Sequence, residues 1–314
     1  MLHTAEPRQR ATPPDDQRRL LDVLAGLQGN HRLAVVLSGA GLSTDSGIPD
    51  YRGPTGMARR VAPMQYRDFV RDPAARQRYW ARSHVGWAAI TQARPNGGHH
   101  AVADLQRAGV VGTVITQNVD GLHQRAGAAD VVDLHGRLDA VVCLECGDRS
   151  SRRVLDRRLD EANPGFRRPS AGRQDAERRP DGDADLSAVE VQGFRMVDCL
   201  VCGGLLKPDV VFFGESVPKD RVERCYEAVG AADVLLVLGS SLTVMSGLRF
   251  VRSAAQGGRT VAIVNQGATR GDDLASVRVD APLGQVLPWL AARLTAGPGG
   301  LDAGQTGDRS TSRS

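Results

Sequence analysis

The sequence contains very little lysine: of its 40 basic residues only Lys207 and Lys219 are lysines, and the rest are arginines. The 36 acidic residues nearly balance this charge and leave a formal net charge of +4. A protein that binds nucleic acid through its phosphates concentrates uncompensated positive charge on one surface. The arginine bias therefore indicates genome composition, and we expect no specific nucleic-acid partner.

The sequence also lacks an apolar run of about 18 residues, the length that a membrane-spanning helix needs. Its first residues carry charges and prolines in place of the apolar core of a secretory signal. We therefore expect a cytoplasmic protein with no membrane partner. With 314 residues and 41% hydrophobic residues, the chain is long enough for about two globular domains.

Cysteine is scarce, but four of the five cysteines form two Cys-x-x-Cys pairs. Cys143 pairs with Cys146 and Cys199 with Cys202, and a glycine follows each pair. Two such knuckles supply four thiolates, the ligand set of a closed tetrahedral zinc site. This pattern favours one structural Zn²⁺ in a reducing compartment, with unrelated buried or redox-active cysteines as the alternative. Cys225 lies outside both pairs and is expected to be a buried thiol.

A glycine-rich stretch, SGAGLSTDSGIPDYR (38–52), follows the apolar run 33–37, which has the composition of a buried parallel strand. Gly39 and Gly41 allow a tight turn, and the N–H groups at a helix start bind anions such as a pyrophosphate. Thr44 replaces the third glycine of the dinucleotide fingerprint, so the fingerprint is incomplete. A plain glycine turn is the alternative, but the tail IPDYR favours a binding site.

Three later apolar runs also end in polar groups, and we interpret each as a strand whose carboxyl end carries ligand-binding residues. These endings are Gln117-Asn118-Val119-Asp120, Gly239-Ser240-Ser241 and Asn265-Gln266-Gly267. Repeated strand endings of this kind predict an α/β fold with a Rossmann-like doubly wound parallel sheet and a smaller zinc-binding domain. The run VVFF (210–213) is expected to be a buried strand that returns to the main sheet.

The predicted division of the chain follows from these elements. The Rossmann-like domain is expected to comprise 17–137 and 205–295, with a helical lid at about 53–92. The zinc module is expected to comprise 138–204, with a mobile insert at about 150–192. The tails 1–16 and 296–314 are expected to be disordered. Within the insert, 163–185 is expected to be an exposed loop. His99 is expected to be a structural or capping histidine at a helix start, and Tyr79, Trp80 and Trp87 belong either to the helical core or to a ligand wall.

GAGLSTDSGIPDYR resembles the NAD-binding signature of the sirtuins, the NAD-dependent protein deacylases. TQNVDGLH (116–123), LHG (134–136), the two cysteine pairs, GSSL and Asn265 resemble the same family in order, from about Leu33 to Leu290. The resemblance implies removal of an acyl group from a protein lysine, with NAD consumed and nicotinamide and O-acyl-ADP-ribose released. The implied cofactors are NAD as co-substrate and one structural Zn²⁺, and the implied partners are acyl-lysine proteins.

The resemblance also implies roles for individual residues. His135 would be the general base that takes a proton from a ribose hydroxyl, although a lone histidine on a strand is more often structural. Asn118 would orient the ribose and a water. The implied cofactor-binding residues are Gly39, Ala40, Gly41, Ser43, Ile48, Pro49, Asp50, Arg52, Gln117, Asn118, Val119, Asp120, Gly239, Ser240, Ser241, Asn265, Gln266, Gly267 and Leu283. The implied substrate-binding residues are Val211, Phe212, Phe213 and Gly214.

The acyl preference follows from a departure in the sequence. Sirtuins that prefer succinyl or malonyl groups carry a tyrosine three residues from an arginine, and no tyrosine precedes Arg59 or Arg60 at that spacing. The pattern is closer to the branch that includes the mitochondrial lipoamidase and ADP-ribosyltransferase type, so we expect weak deacetylation and better activity on longer or lipoyl-like chains. Protein mono-ADP-ribosylation is one alternative and a zinc-knuckle nucleic-acid binding module another. We expect a monomer.

Overall fold

The computed structural model describes residues 14–28, 32–50, 63–166, 186 and 191–296. Its strands are β1 Ala34–Ser38, β2 Val111–Thr116, β3 Val131–Asp133, β4 Gly136–Cys143, β5 Arg149–Ser151, β6 Leu206–Val210, β7 Val234–Leu238, β8 Thr260–Val264 and β9 Val277–Val279. Its α-helices are α1 Asp15–Ala25, α2 Tyr66–Arg71, α3 Pro73–Gln92, α4 Gly97–Arg107, α5 Leu122–Arg125, α6 Arg152–Ala162, α7 Lys219–Ala231, α8 Met245–Gln256 and α9 Leu283–Leu294.

The main sheet has six parallel strands in the order β3-β2-β1-β7-β8-β9. All five residues of β1 are buried, because a strand at the centre of a parallel sheet is covered on both faces. Ala34 and Val36 pack with α1, α4 and α9 on one face. Val35 and Leu37 pack with α7 and α8 on the other. The predicted doubly wound α/β fold is confirmed.

The helix α4 begins with the cap that the sequence predicts. The side chain of Asn96 accepts hydrogen bonds from the backbone N–H groups of Gly98 and His99. His99 Nδ1 in turn accepts from the backbone N–H of Asn96, at 3.4 Å. His99 is therefore a capping residue, which satisfies N–H groups that the first turn of a helix leaves unpaired.

None of the described helices is long and apolar enough to cross a bilayer.

A second sheet, in the order β5-β4-β6, is antiparallel. The prediction that VVFF returns to the main sheet is wrong, because β6 pairs with β4 and ends at Val210. Since β4 ends at the first cysteine pair and β6 follows the second, the pairing of Cys143 with Leu206 brings the two knuckles together. Within the described residues, Phe213 lies outside the strands and pairs with Gln65 through an isolated bridge. Burial pattern alone does not say which sheet a short apolar strand joins.

The lid is built from the short α2 and the 20-residue α3, and residues 53–62 of the predicted lid lie outside the described residues. Trp80 and Trp87 belong to the core, because they contact the buried Arg152 guanidinium at 5.4 and 5.1 Å from their ring centroids. Tyr79 serves both purposes: it is 3% exposed and it lines the central cavity. Of the three aromatic residues, Trp80 and Trp87 are therefore core residues, and Tyr79 belongs both to the core and to the cavity wall.

The beginning of the predicted mobile insert is packed. The helix α6 buries Leu155 and Leu159, and Asn163 exchanges hydrogen bonds with the backbone of Arg195. Phe166 lies 4.8 Å from Phe194, measured between ring centroids. The prediction that Asn163 starts an exposed loop is therefore wrong, because its amide satisfies buried backbone groups. Residues 167–185 and 187–190, with 1–13 and 297–314 of the predicted tails, lie outside the described residues. The prediction that the disordered tail extends to residue 16 is wrong, because Asp15 and Asp16 form the first turn of α1.

Gly136 offers a test of the junction between the two sheets. Its φ is +80°, and a Cβ there would lie 1.9 Å from the carbonyl oxygen of Asp209. We expect Gly136→Ala to lower the free energy of unfolding by more than about 3 kcal/mol. The strain of a left-handed backbone and the clash with the Asp209 carbonyl both raise the free energy of the folded state. Gly127 has φ +94°, and a Cβ there would meet no atom within 4 Å, so Gly127→Ala should cost only about 1–2 kcal/mol. Equal losses in urea denaturation would contradict this account.

Candidate active site and zinc centre

A cavity of about 980 Å³ opens at the carboxyl ends of β1 and β7. The order of the main sheet reverses between these two strands, and in open α/β sheets ligands bind at such a reversal. The second sheet and the lid form the opposite wall, through Val210 to Gly214, Tyr79 and Ile90. The volume is at the upper end of the range for small-molecule sites, roughly 300–1,000 Å³, and so has room for a dinucleotide and an acyl chain.

The glycine-rich loop after β1 does not begin an α-helix, contrary to the sequence-based expectation. It forms two 3₁₀ turns, Ala40–Leu42 and Thr44–Ser46. A Cβ on Gly39 would lie 2.8 Å from the carbonyl oxygen of Gly239, and one on Gly41 3.0 Å from the Gly239 Cα. These glycines are therefore required for backbone contact between the loops that follow β1 and β7.

A hydrogen-bond network holds the floor of the cavity. Asn118 Nδ2 donates to the Gly39 carbonyl at 3.0 Å and to Ser43 Oγ at 3.1 Å. Ser43 Oγ donates to Asp120 Oδ2 at 2.8 Å, and the backbone N–H of Leu122 donates to Asp120 Oδ1 at 2.9 Å. Burial raises the pKa of Asp120 above its ordinary value, although these two hydrogen bonds lower it. The network joins the loop after β1 to the loop after β2.

His135 lies between β3 and β4 on the cavity wall. Its Nδ1 is 3.0 Å from the Gln117 carbonyl oxygen, and its Nε2 is 2.8 Å from Ser246 Oγ. A carbonyl only accepts, so Nδ1 carries the hydrogen and Nε2 of the neutral ring carries the lone pair. Burial lowers the pKa of His135, and the charges of Arg249 and Arg221 lower it further. The ring is therefore a neutral base at physiological pH, and its basic nitrogen contacts Ser246, which lines the cavity with it.

A second histidine, His123, is fully buried and supports the floor of the cavity. His123 Nε2 lies 2.8 Å from Ser38 Oγ, which donates to Thr116 Oγ1 at 2.9 Å. Thr116 Oγ1 accepts from the backbone N–H of Asn118 at 3.1 Å. Because Ser38 uses its hydrogen on Thr116, His123 donates through Nε2. The chain of hydrogen bonds fixes the turn that carries Asn118.

Most of the predicted site residues meet at this cavity. Those that line it are Gly39, Ala40, Gly41, Ser43, Ile48, Asp50, Gln117, Asn118, Val119, Asp120, His135, Val211, Phe212, Phe213, Gly214, Gly239, Ser240, Ser241, Asn265, Gln266 and Leu283. Pro49 and Gly267 are described but do not line it, and Arg52 lies outside the described residues. No sequence motif pointed to Met245, Ser246 and Arg249 at the start of α8, which also line it.

The segment expected to bind substrate is fixed on both sides. Val211 donates its N–H to the His135 carbonyl at 2.8 Å. Phe212 is 8% exposed and contacts Phe69 and Tyr79, each at 5.1 Å between ring centroids. The sequence left open that one of the two phenylalanines is a core residue. Phe212 is that residue, and it also borders the cavity.

A buried ion pair holds the same segment from below. Lys207 Nζ lies 3.2 Å from Glu215 Oε2, and that oxygen accepts from the Phe212 N–H at 2.8 Å. Lys207 Nζ also donates to the carbonyls of Pro208 and Val210. Burial lowers the pKa of Lys207, and Glu215 opposes that shift. A buried ammonium with three acceptors fixes the backbone geometry of the cavity wall.

The four paired cysteines converge on one point. Their Sγ atoms all lie within 4.8 Å of one another, with Cys143 to Cys202 at 3.5 Å and Cys146 to Cys199 at 3.8 Å. A tetrahedron of thiolates around Zn²⁺ at about 2.3 Å has edges of about 3.8 Å, so the cluster fits zinc. Four protein ligands leave no open position, so the ion is structural. Burial raises the pKa of Cys225 to about 12, in keeping with an inert buried thiol.

The comparisons with known proteins agree with this geometry. A model of the Sir2 family matches residues 39–246. The chain belongs to the Sir2 family. It is 62% identical to NAD-dependent protein deacetylase 1 of Streptomyces coelicolor over 83% of this chain and 85% of that protein. It is 52% identical to NAD-dependent protein deacetylase 1 of Mycobacterium avium over 92% of this chain and 98% of that protein.

Solved sirtuin structures share the fold. A Sir2 complex with a p53 peptide and NAD⁺ aligns with a TM-score of 0.68 at 29% identity, over 88% of this chain and 98% of that one. A Sir2 homologue complex with NAD aligns with a TM-score of 0.67 at 29% identity, over 88% and 93%. Membership in the family makes NAD the co-substrate and supports NAD-dependent protein deacetylation by this sirtuin.

Zinc removal tests the metal centre. We expect about one zinc per chain by elemental analysis, since the four thiolates form one closed site. Chelation should unfold the second sheet and abolish activity, because the free energy of binding a structural zinc contributes to the free energy of folding. Cys199→Ser should lose the zinc, whereas Cys225→Ala, outside the cluster, should retain it. Zinc-free protein with an unchanged near-ultraviolet spectrum and full activity would contradict the assignment.

His123 predicts a specific acid sensitivity. Burial lowers the pKa of His123 from 6.5 to about 4, so below pH 6.5 the unfolded chain binds a proton that the folded protein excludes. The free energy of unfolding therefore falls on acidification, by about 2 kcal/mol at about pH 5 for this one group. His123→Gln should lose about 2 kcal/mol less than the wild type between about pH 7.5 and about pH 5, measured by urea denaturation. Identical losses in the two proteins would exclude this linkage.

Proposed function

We propose that this protein is an NAD-dependent protein lysine deacylase that acts better on longer or lipoyl-like acyl chains than on acetyl groups. One observation carries the proposal. His135, whose basic nitrogen is Nε2, borders a single cavity that has the glycine-rich loop on one side and Val211 to Phe213 on the other. One base thus has access both to a nucleotide on the sheet edge and to a peptide on the second sheet.

NAD, when bound, supplies a ribose carbon from which nicotinamide departs. Asn118 uses both hydrogens of its amide on Gly39 and Ser43, so its carbonyl oxygen is left to orient a ribose hydroxyl or a water. Gln117 likewise donates to Ser240 Oγ at 2.8 Å and keeps an amide oxygen for the ribose. His135 then accepts a proton at Nε2 from the ribose hydroxyl. Positioned base catalysis of this kind contributes roughly 10²–10⁴-fold to the rate.

The substrate peptide is proposed to lie along the segment after β6. The Val211 N–H is already bonded to the His135 carbonyl, so the Val211 carbonyl is oriented to accept from the acyl-lysine amide. Addition of an extended peptide beside an existing strand uses main-chain hydrogen bonds and therefore tolerates many sequences. In this proposal the acyl-lysine amide lies beside His135.

The proposed acyl preference is supported by the apolar part of the cavity wall. Met64, Tyr79, Ile90, Leu138 and Phe212 all line it. Each methylene buried against such a wall contributes about 0.8 kcal/mol, which favours longer chains over acetyl. One aligned structure, of Sir2Tm, is bound to a propionylated peptide. Arg59 and Arg60, on which a dicarboxylyl preference would depend, lie outside the described residues.

Product analysis by mass spectrometry tests the proposal. Peptides carrying acetyl, succinyl, lipoyl or octanoyl lysine are incubated with NAD⁺ and either the wild type, His135→Ala or His100→Ala. The wild type should release nicotinamide and O-acyl-ADP-ribose, fastest with octanoyl or lipoyl lysine. His135→Ala should lose roughly 10²–10⁴-fold in deacylation. His100 is exposed on α4, so His100→Ala is the control that keeps activity.

Three outcomes would overturn the proposal in different ways. Succinyl lysine as the best substrate would contradict the acyl preference. Transfer of adenine-labelled ADP-ribose to protein without deacylation would instead support mono-ADP-ribosylation. Normal deacylation by His135→Ala would remove the role of the histidine.

A further inference from the structure

Ser246 is the one side chain that contacts the basic nitrogen of His135 in the described structure. It lies in the first turn of α8, it is 8% exposed, and its Oγ is 2.8 Å from His135 Nε2. The start of α8 also fits closely against Gln117, since a Cβ on Gly247 would lie 2.9 Å from Gln117 Oε1. The imidazole is thus held between the Gln117 carbonyl on one side and the Ser246 hydroxyl on the other.

The chemistry of the two partners differs. The carbonyl of Gln117 accepts only, so it fixes the hydrogen on Nδ1 in both protonation states of the ring. A hydroxyl donates or accepts according to its rotation about the Cβ–Oγ bond. Ser246 therefore donates to the Nε2 lone pair of neutral His135, and it accepts from the Nε2–H of the charged ring.

We propose that Ser246 is a positioning residue for the general base, which holds neutral His135 in the competent tautomer and then stabilises the imidazolium by accepting its hydrogen bond. The inference rests on the proposed function. In the proton transfer the ribose O–H bond breaks and a bond forms between that hydrogen and Nε2. The Ser246 hydroxyl rotates off the Nε2 lone pair when the ribose hydroxyl donates there, its own O–H bond stays intact, and it then accepts from the new Nε2–H.

The charges around His135 make this acceptor important. Burial disfavours the imidazolium, and Arg249 on α8 and Arg221 on α7 both lower the pKa further. Arg221 is paired with Asp209 at 3.3 Å, and Arg249 donates to the Ser246 carbonyl at 3.2 Å. A charged ring in this environment depends on neutral acceptors at both nitrogens, and Ser246 supplies the one at Nε2.

The test compares Ser246→Ala, Ser246→Thr and the control Ser253→Ala, in the full-length protein with zinc bound. Ser253 lies on the same helix, and among the described residues it takes part in hydrogen bonds through its backbone carbonyl. Hydrogen bonds to charged groups predict a fall in kcat for deacylation of roughly 10- to 100-fold in Ser246→Ala, with KM values within about twofold. The acid limb of kcat/KM should move to lower pH. Ser246→Thr should restore most of the rate, and Ser253→Ala should match the wild type.

Exchange of labelled nicotinamide into NAD⁺ separates this role from a structural one. Nicotinamide leaves before His135 accepts its proton, so exchange should persist in Ser246→Ala while deacylation falls. A parallel loss of exchange and deacylation, a raised KM with unchanged kcat, or an unchanged kcat would each overturn the inference. No rescue by Ser246→Thr, with its thermal unfolding unchanged, would do the same.

Nitrogen-15 spectra of the histidine rings provide a readout that needs no activity. The spectrum of His135→Ala assigns the His135 signals. We expect Nδ1–H in the neutral wild-type ring and a lower pKa of His135 in Ser246→Ala. If the wild type shows no deacylation, the proposed function fails, and these spectra still decide the Ser246 inference. An unchanged titration of His135 in Ser246→Ala would overturn it.

Discussion

The site depends on a contact between two backbones. The loops that follow β1 and β7 touch where Gly39 and Gly41 meet Gly239, and the Gly41 N–H donates to the Gly239 carbonyl at 2.9 Å. No side chain fits between them, since a Cβ on Gly239 would lie 2.6 Å from the Leu42 nitrogen. The connections leave the sheet on opposite faces beyond this point, so a crevice opens there. The polar residues of both loops consequently border one cavity.

Three histidines near this crevice show how hydrogen-bond partners decide the role of a side chain. Burial lowers the pKa of His99 to about 3 and that of His123 to about 4, and both rings are neutral structural groups. His99 accepts from a helix N-terminus, and His123 donates to a serine. His135 alone among the three combines a carbonyl at Nδ1 with a cavity at Nε2. Only that combination leaves a basic nitrogen at a residue that lines the cavity, in contact with a hydroxyl that can rotate.

Much of the fold followed from local pattern, because buried parallel strands are apolar throughout and their ends carry glycine and polar residues. The cysteine spacing likewise predicted the zinc centre. The sheet to which β6 belongs could not be predicted, since strand pairing is a long-range choice that burial does not encode. The packing of Asn163 was missed because its partner at Arg195 is distant in sequence. Ser246 was missed for the same reason: no motif relates it to His135, 111 residues earlier.

The lid and the zinc module form one wall, and the buried Arg152 is one of the residues through which α3 and α6 contact each other. Arg152 is 1% exposed, contacts the rings of Trp80 and Trp87 on α3, and pairs with Asp156 at 3.0 Å on its own helix. Burial of such a pair adds little stability, because desolvation offsets the attraction. Its geometry instead fixes α6 against α3, and α3 carries Tyr79 to the cavity. Zinc, through the pairing of β4 with β6, holds Phe212 against that tyrosine. The zinc site thus supports the part of the cavity wall that is proposed to hold the acyl chain.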